Sequence, residues 1–257
     1  LFEFIIRFIS KYRSVSVLHC NDLSALLVGF LTKLTNSKLK LIYDSHEFAI
    51  NDKPNQAKYS IKINYLLENI LIRFADVVIV VSESIAIEYS RLYKITTPHI
   101  VLNCPIFKEQ EKNNLFREKF NLRNDQIIFL YQGVLSRGRG LEILLQAFKD
   151  FNSEEYVLVC MGYGPLENLV QEEAEKYPNI FFQPAVSPDL LLKYTSSADF
   201  GISFIEDSCL SYRYCLPNKM FEYLMAGLPI ITSNLYEMKH FVETEGVGIV
   251  AKENTIS

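Results

Sequence analysis

The feature that most constrains this chain is the unbroken apolar run VVIVV at 77–81. A strand with one wet face alternates apolar and polar residues. A continuous β-branched run instead belongs to a parallel strand covered on both faces. Ser82 follows as a helix cap, and SESIAIEYSRLY at 82–93 reads as the helix. The same unit recurs along the chain. Residues 14–19, 39–44 and 100–102 read as further strands, with helices starting at Asn21 or Asp22 and covering 59–75. Later come IIFLYQG, YVLVCMG, NIFFQP, DFGISF, LPIITS and VGIVA as strands. The helices between them are LEILLQAFKDF, LENLVQEEAEKY, SPDLLLKYTSSA, the segment after Pro217, and EMKHFV. Such alternation implies parallel βαβ units. At 103–114 the composition changes: Pro105, four charges and few apolar residues mark a linker. The expected fold is α/β, with two doubly wound Rossmann-like domains. The boundaries are a partial first domain at 1–104, a linker at 105–114 and a second domain at 115–257. The first looks incomplete at its N-terminus, with too few strands before the linker.

A net charge of −4 argues against a general nucleic-acid binder. The five cysteines are scattered without a CxxC pair, which favours a reducing, cytoplasmic compartment over a disulfide scaffold or zinc site. His46-Glu47 begins like a zinc-protease HExxH, but Ile50 stands where the second histidine belongs. No apolar run reaches the roughly 18 residues of a membrane span. The opening LFEFIIRFISKYR reads as an amphipathic helix packed on the core. It could also lie near lipid, as a peripheral contact at the inner membrane face. The chain begins without Met and ends at NTIS, and is read as a fragment of a longer protein.

The chemistry is expected at the carboxyl ends of the strands, where open α/β sheets bind ligands. Residues 217–229, PNKMFEYLMAGLP, form the central stretch. Pro217 suits the first helical position and Gly227 the position past the end. Met220, Phe221, Leu224 and Met225 would bury one face. Arg213 and Lys219 come to the helix start, whose free N–H groups favour an anion. Glu222 stands about one turn in, where it could grip ribose hydroxyls; an ordinary capped helix explains these residues equally well. The loop GVLSRGRG at 133–140 offers Gly133 for close backbone approach and Arg137 and Arg139 as forked phosphate donors. A solvated basic turn is its plain alternative. Gly162 and Gly164 begin like GxGxxG but lack the third glycine, so they read as a tight turn near a ligand. Glu206 and Asp207 end a strand, as site carboxylates or as a wet acidic turn. Cations gathered locally in an acidic chain point to a small anionic ligand.

The segments LHCND, LIYDSHE, ADVVIVVSES, YQGVLSRGRGLEILLQAF, GYGP and NKMFEYLMAGLPIITS resemble, in order and spacing, the retaining GT-B fold glycosyltransferases, in particular glycosyltransferase family 4. The resemblance implies a nucleoside-diphosphate sugar held mainly by the second domain. Gly133, Arg137 and Gly164 would belong to the donor site, with Glu222 on the ribose and Arg139 and Lys219 on the diphosphate. His46 resembles the first-domain histidine that faces the transferred sugar. Relatives carry a second glutamate eight residues before the Glu222 position. Here Tyr214 stands there, and Glu206 could take its place in space. The implied activity is transfer of a sugar to a hydroxyl with retention, in surface polysaccharide or glycolipid synthesis. A non-catalytic nucleotide-sugar-binding module and a nucleotide-sugar epimerase are the alternatives. No cofactor and no metal are expected, because the chain holds no Asp-x-Asp pair.

Overall fold

The computed structural model describes residues 2–51, 54 and 56–252. Part of the polar loop expected at 45–56 and the terminal NTIS lie outside the described residues. The chain forms two compact units. Leu1–Asn103 with Ser208–Cys215 make the first, and Cys104–Asp207 with Leu216–Ser257 the second.

In the first unit, strands β1 (Val17–Asn21), β2 (Lys40–Ser45), β3 (Val77–Val80) and β4 (His99–Ile100) run parallel in that order. Helices α1 (Phe2–Tyr12), α2 (Asp22–Thr35), α3 (Lys58–Leu71) and α4 (Glu83–Tyr93) alternate with them. Ser82 caps α4 as its sequence signals, accepting the Ile85 N–H at 3.4 Å. β1 starts later than expected because residues 12–15 turn first, with the Val15 N–H on the Tyr12 carbonyl. The opening helix forms, but its expected burial does not occur. Phe4 and Ile6 are 59% and 52% exposed, and α1 leans on α2 beside the edge strand β1.

The core of this unit holds a carboxylate. Glu68 of α3 is fully buried. Tyr43 and Tyr89 donate to its Oε1 at 2.5 and 2.6 Å, and Tyr93 donates to Oε2 at 2.5 Å. Burial pushes its carboxyl up, and the three phenols pull it part of the way back.

The second unit runs α5 (Leu115–Phe120), β5 (Ile127–Val134), α6 (Leu141–Asp150), β6 (Tyr156–Tyr163), α7 (Glu167–Lys176), β7 (Ile180–Pro184), α8 (Pro188–Thr195) and β8 (Phe200–Ser203). It continues through α9 (Leu210–Arg213), α10 (Asn218–Met225), β9 (Ile230–Thr232), α11 (Tyr236–Glu245) and β10 (Gly248–Val250). Of these, α9 belongs to the first unit. The strands are all parallel, in the order β10-β9-β8-β5-β6-β7. Successive strands are added one way from β5 to β7 and the other way from β8 to β10. The reversal between β5 and β8 is the switch point at which doubly wound sheets open a crevice. The first sheet steps in one direction only.

The second domain expected at 115–257 is therefore interrupted. Residues 208–215 pack with the first unit. There the Leu210 N–H donates to Asn51 Oδ1 at 2.8 Å and the Ser211 N–H to the Asn51 carbonyl at 3.1 Å. Ser82 Oγ donates to the Tyr214 carbonyl at 3.1 Å, and Leu210 and Tyr214 rest on the first core. These partners lie some 130 to 160 residues away in sequence, beyond the reach of any local pattern.

Candidate functional site at the switch point

At the carboxyl ends of β5 and β8, backbone bonds stitch the loops together. The Leu135 N–H donates to the Tyr163 carbonyl at 2.8 Å, the Leu166 N–H to the Leu135 carbonyl at 2.9 Å, and the Glu206 N–H to the Gly138 carbonyl at 3.0 Å. The glycines are sterically required. A Cβ on Gly162 would fall 1.8 Å from the Gly133 carbonyl oxygen, and Gly133 itself takes φ +123°. Gly164 lies in the turn after β6. Arg139 sits half-buried between Gly138 and Gly140. Arg137 is 89% exposed and comes within 4.0 Å of the Glu142 carboxylate on α6. Glu206 is half-buried and Asp207 exposed.

Helix α10 brings two predicted residues to this place. Pro217 is its cap rather than its first residue, one position outside the expected start. The buried positions are Met220 and Tyr223; Phe221, Leu224 and Met225, expected to share that burial, are half-exposed. Lys219, in the first turn, holds its ammonium 4.2 Å from the Tyr131 ring centroid and 3.7 Å from where a Gly133 Cβ would stand. Glu222 Oε2 accepts the Gln132 side-chain amide at 2.6 Å. Burial raises the Glu222 carboxyl above its ordinary range, against the Gln132 amide and the Lys219 charge. Next to it, the buried Tyr223 hydroxyl accepts the Gln132 N–H at 3.1 Å. It lies 3.1 and 3.0 Å from the Leu130 and Ile202 carbonyls, fastening β5 to β8.

Gly133, Lys219 and Glu222 are thus brought together, with Arg139 in the adjoining loop. Arg213, expected beside Lys219, lies on α9 and belongs to the first unit. Gln132 and Tyr223 escaped sequence reasoning. Both sit inside apolar-looking elements, and the only hint was a glutamine in an otherwise apolar strand.

In the first unit, His46 lies on the loop after β2 and is exposed. Its Nε2 is 3.6 Å from Asp44 Oδ1 and its Nδ1 is 4.0 Å from Asp22 Oδ1. His19, from β1, is 2.8 Å from the other Asp44 oxygen, so two imidazoles flank one carboxylate and His19 hydrogen-bonds it. Asp22 begins α2 with φ +67°, an uncommon conformation that aspartate tolerates. A cavity of about 560 Å³ opens beside them, lined by Asp22, Leu23, His46, Glu47, Asn64 and Leu67 among others. Among the described residues, no group of three His, Cys, Asp or Glu side chains is arranged to hold a metal ion.

The family model for glycosyl transferases group 1 matches residues 112–257. The solved structure of Anabaena HepE in complex with UDP-glucose is similar with a TM-score of 0.73 at 13% identity, over 98% of this chain and 68% of that one. Sucrose-phosphate synthase from Thermosynechococcus elongatus is similar with a TM-score of 0.74 at 21% identity, over 99% and 66%. The lipopolysaccharide outer core galactosyltransferase WaaB, in its apo form, gives 0.62 at 16%, over 90% and 60%. None of the curated proteins matches the chain. The chain thus spans 60–68% of the length of these structures. Its two parallel-sheet Rossmann-like units are those of the GT-B class expected from the sequence.

Proposed function

Since the chain belongs to the glycosyl transferases group 1 family, we propose that it transfers a sugar from a nucleoside-diphosphate donor to a hydroxyl acceptor, with retention, as a member of glycosyltransferase family 4. The observation that carries the reading is the convergence of Lys219 and Glu222 on the end of β5 at the switch point. There a cation and a carboxylate stand as a diphosphate and its ribose require. Lys219, Arg139 and the start of α10 take the diphosphate, and Glu222 takes the ribose hydroxyls. HepE was solved with UDP-glucose, which makes a uridine donor the first to test.

The reaction needs stabilisation of negative charge on the departing diphosphate. Fixed cations supply it with no divalent ion, and most of the catalysis is positioning and electrostatics. His46 orients the transferred sugar. The acceptor belongs to a surface polysaccharide or glycolipid, and the exposed Phe4 and Ile6 suit a protein working beside a membrane surface from the cytoplasmic side. Among the described residues no helix is long and apolar enough to cross a membrane.

The test is sugar transfer from UDP-, GDP- and ADP-sugars by protein stripped of metal. Turnover should survive EDTA, fall about a hundredfold or more in Arg139→Ala, and fall in His46→Ala with donor affinity kept. Loss of turnover on stripping, restored by magnesium or manganese, would overturn the metal-free mechanism. Wild-type turnover in His46→Ala would remove that residue's role.

A further inference from the structure

We propose that Gln132 is a positioning residue that holds Glu222 in the geometry for ribose recognition, an inference that rests on the donor site proposed above. Gln132 is 2% exposed, on β5 just before Gly133, with Leu130 and Tyr131 fully buried beside it. A buried primary amide must find partners for its donors and its acceptor. Here Nε2 donates to Glu222 Oε2 at 2.6 Å, and Oε1 faces the Thr195 hydroxyl at 2.8 Å. The Thr195 hydroxyl is also 2.8 Å from the Leu191 carbonyl, so its one proton serves two acceptors. The chemistry fixes which way the amide faces. An ionised carboxylate can only accept, so the NH2 must turn to Glu222 and the oxygen to Thr195.

The effect reaches Glu222 in two ways. It pins a long side chain that would otherwise sample several rotamers. It also supplies the chief opposition to the burial that favours the neutral acid, ahead of Lys219. A neutral acid is a poor partner for a ribose diol, whose hydroxyls donate best to a carboxylate. The backbone adds to the arrangement: the Gln132 N–H is bound by Tyr223, the residue after Glu222 on α10. The strand and the helix therefore hold the same pair of neighbours twice.

The experiment first takes whichever of UDP, GDP and ADP binds the protein most tightly. It then measures, by calorimetry, the affinity for that nucleotide and for its 2′,3′-dideoxy form. The wild type should prefer the ribose form by about tenfold or more, the worth of a charged hydrogen bond. Gln132→Met should cut the preference to within about threefold while leaving the dideoxy affinity unchanged. Adding Glu222→Ala to it should cost nothing further, as for two residues acting as one unit. Thr195→Val, which leaves the amide in place but frees its orientation, should give an intermediate preference and keeps the test open if Gln132→Met fails to fold. If Gln132→Met keeps the full preference that Glu222→Ala loses, or weakens both nucleotides alike, the positioning role is overturned while the ribose reading of Glu222 stands. A wild type without preference would overturn the ribose reading itself, and this inference with it.

Discussion

Each unit of this protein holds a glutamate whose carboxyl is pushed up by desolvation, and the two are treated differently. Glu68 is sealed, with no exposed surface and three tyrosine hydroxyls around its two oxygens. Glu222 is half-exposed at a strand end, and a buried amide holds one of its oxygens. Desolvation raises both carboxyls, and hydrogen-bond donors oppose it in both. What differs is the direction each can serve. An acceptor saturated by phenols organises its own core. An acceptor gripped on one side, beside a lysine and a glycine loop, can serve a ligand.

Substitution should separate the two roles, most strongly in the sealed one. Glu68→Ala leaves Tyr93 without its acceptor and a void in a packed core, while Tyr43 and Tyr89 keep Ser45 Oγ; an orphaned buried group costs roughly 1–3 kcal/mol and the void adds to it. A loss of about 3 kcal/mol or more in the stability of the first unit is expected, read from urea unfolding, with nucleotide affinity unaltered. Unfolding at the wild-type denaturant concentration would show the network to be incidental and break the contrast. Glu222→Ala should act mainly on binding. Nucleotide binding should weaken by roughly 1.5–3 kcal/mol, the worth of a charged hydrogen bond. Stability should fall by less than in Glu68→Ala, because the buried Gln132 amide loses one acceptor, at roughly 1–3 kcal/mol, while a carboxyl that burial disfavours is removed with it. Unchanged affinity in calorimetry would end its assignment to the ribose.

The smallest effect is a pH dependence of two opposite signs. Both folded carboxyls lie above their unfolded values. Between the ordinary and the raised value the native state binds more protons, so stability falls as pH rises through that window. Nucleotide affinity should rise over the same window, as Glu222 becomes ionised. Melting temperature and dissociation constant measured against pH would show the two curves diverging. Glu222→Gln should flatten the affinity curve and leave in the stability curve only the part that Glu68 contributes; an affinity curve still sloping in that variant would assign the titration to another group.

Much of the architecture was readable in the chain. VVIVV, IIFLYQG and YVLVCMG are near-continuous apolar runs, and they form parallel strands; YVLVCMG is buried almost throughout, whereas of VVIVV only Val80 is fully buried. Ser82 capped its helix as its side chain allows. Lys219 and Glu222 were legible because a helix start carries its own chemistry. Other features depend on groups far apart in sequence. Gln132 pairs with a glutamate 90 residues on, and its amide looked like an interruption of an apolar strand. The opening helix carries an apolar face, but composition does not say whether anything waits to cover it. Arg213 and Lys219 stand six residues apart in the chain and yet belong to different units.

The path of residues 208–215 has a consequence for anyone cutting or grafting this protein. The backbone passes from one unit to the other at 103–104, again at 207–208, and back at 215–216. A protease nick in the exposed strap around Ile106 and Phe107 would not release the first unit as a free fragment. The downstream piece would keep hold of it through Leu210 and Ser211 on Asn51 and through Tyr214 on Ser82. A chimera joined at the strap alone would pair a foreign first unit with this octapeptide. The graft that preserves the packing takes residues 208–215 from the same parent as Asn51 and Ser82.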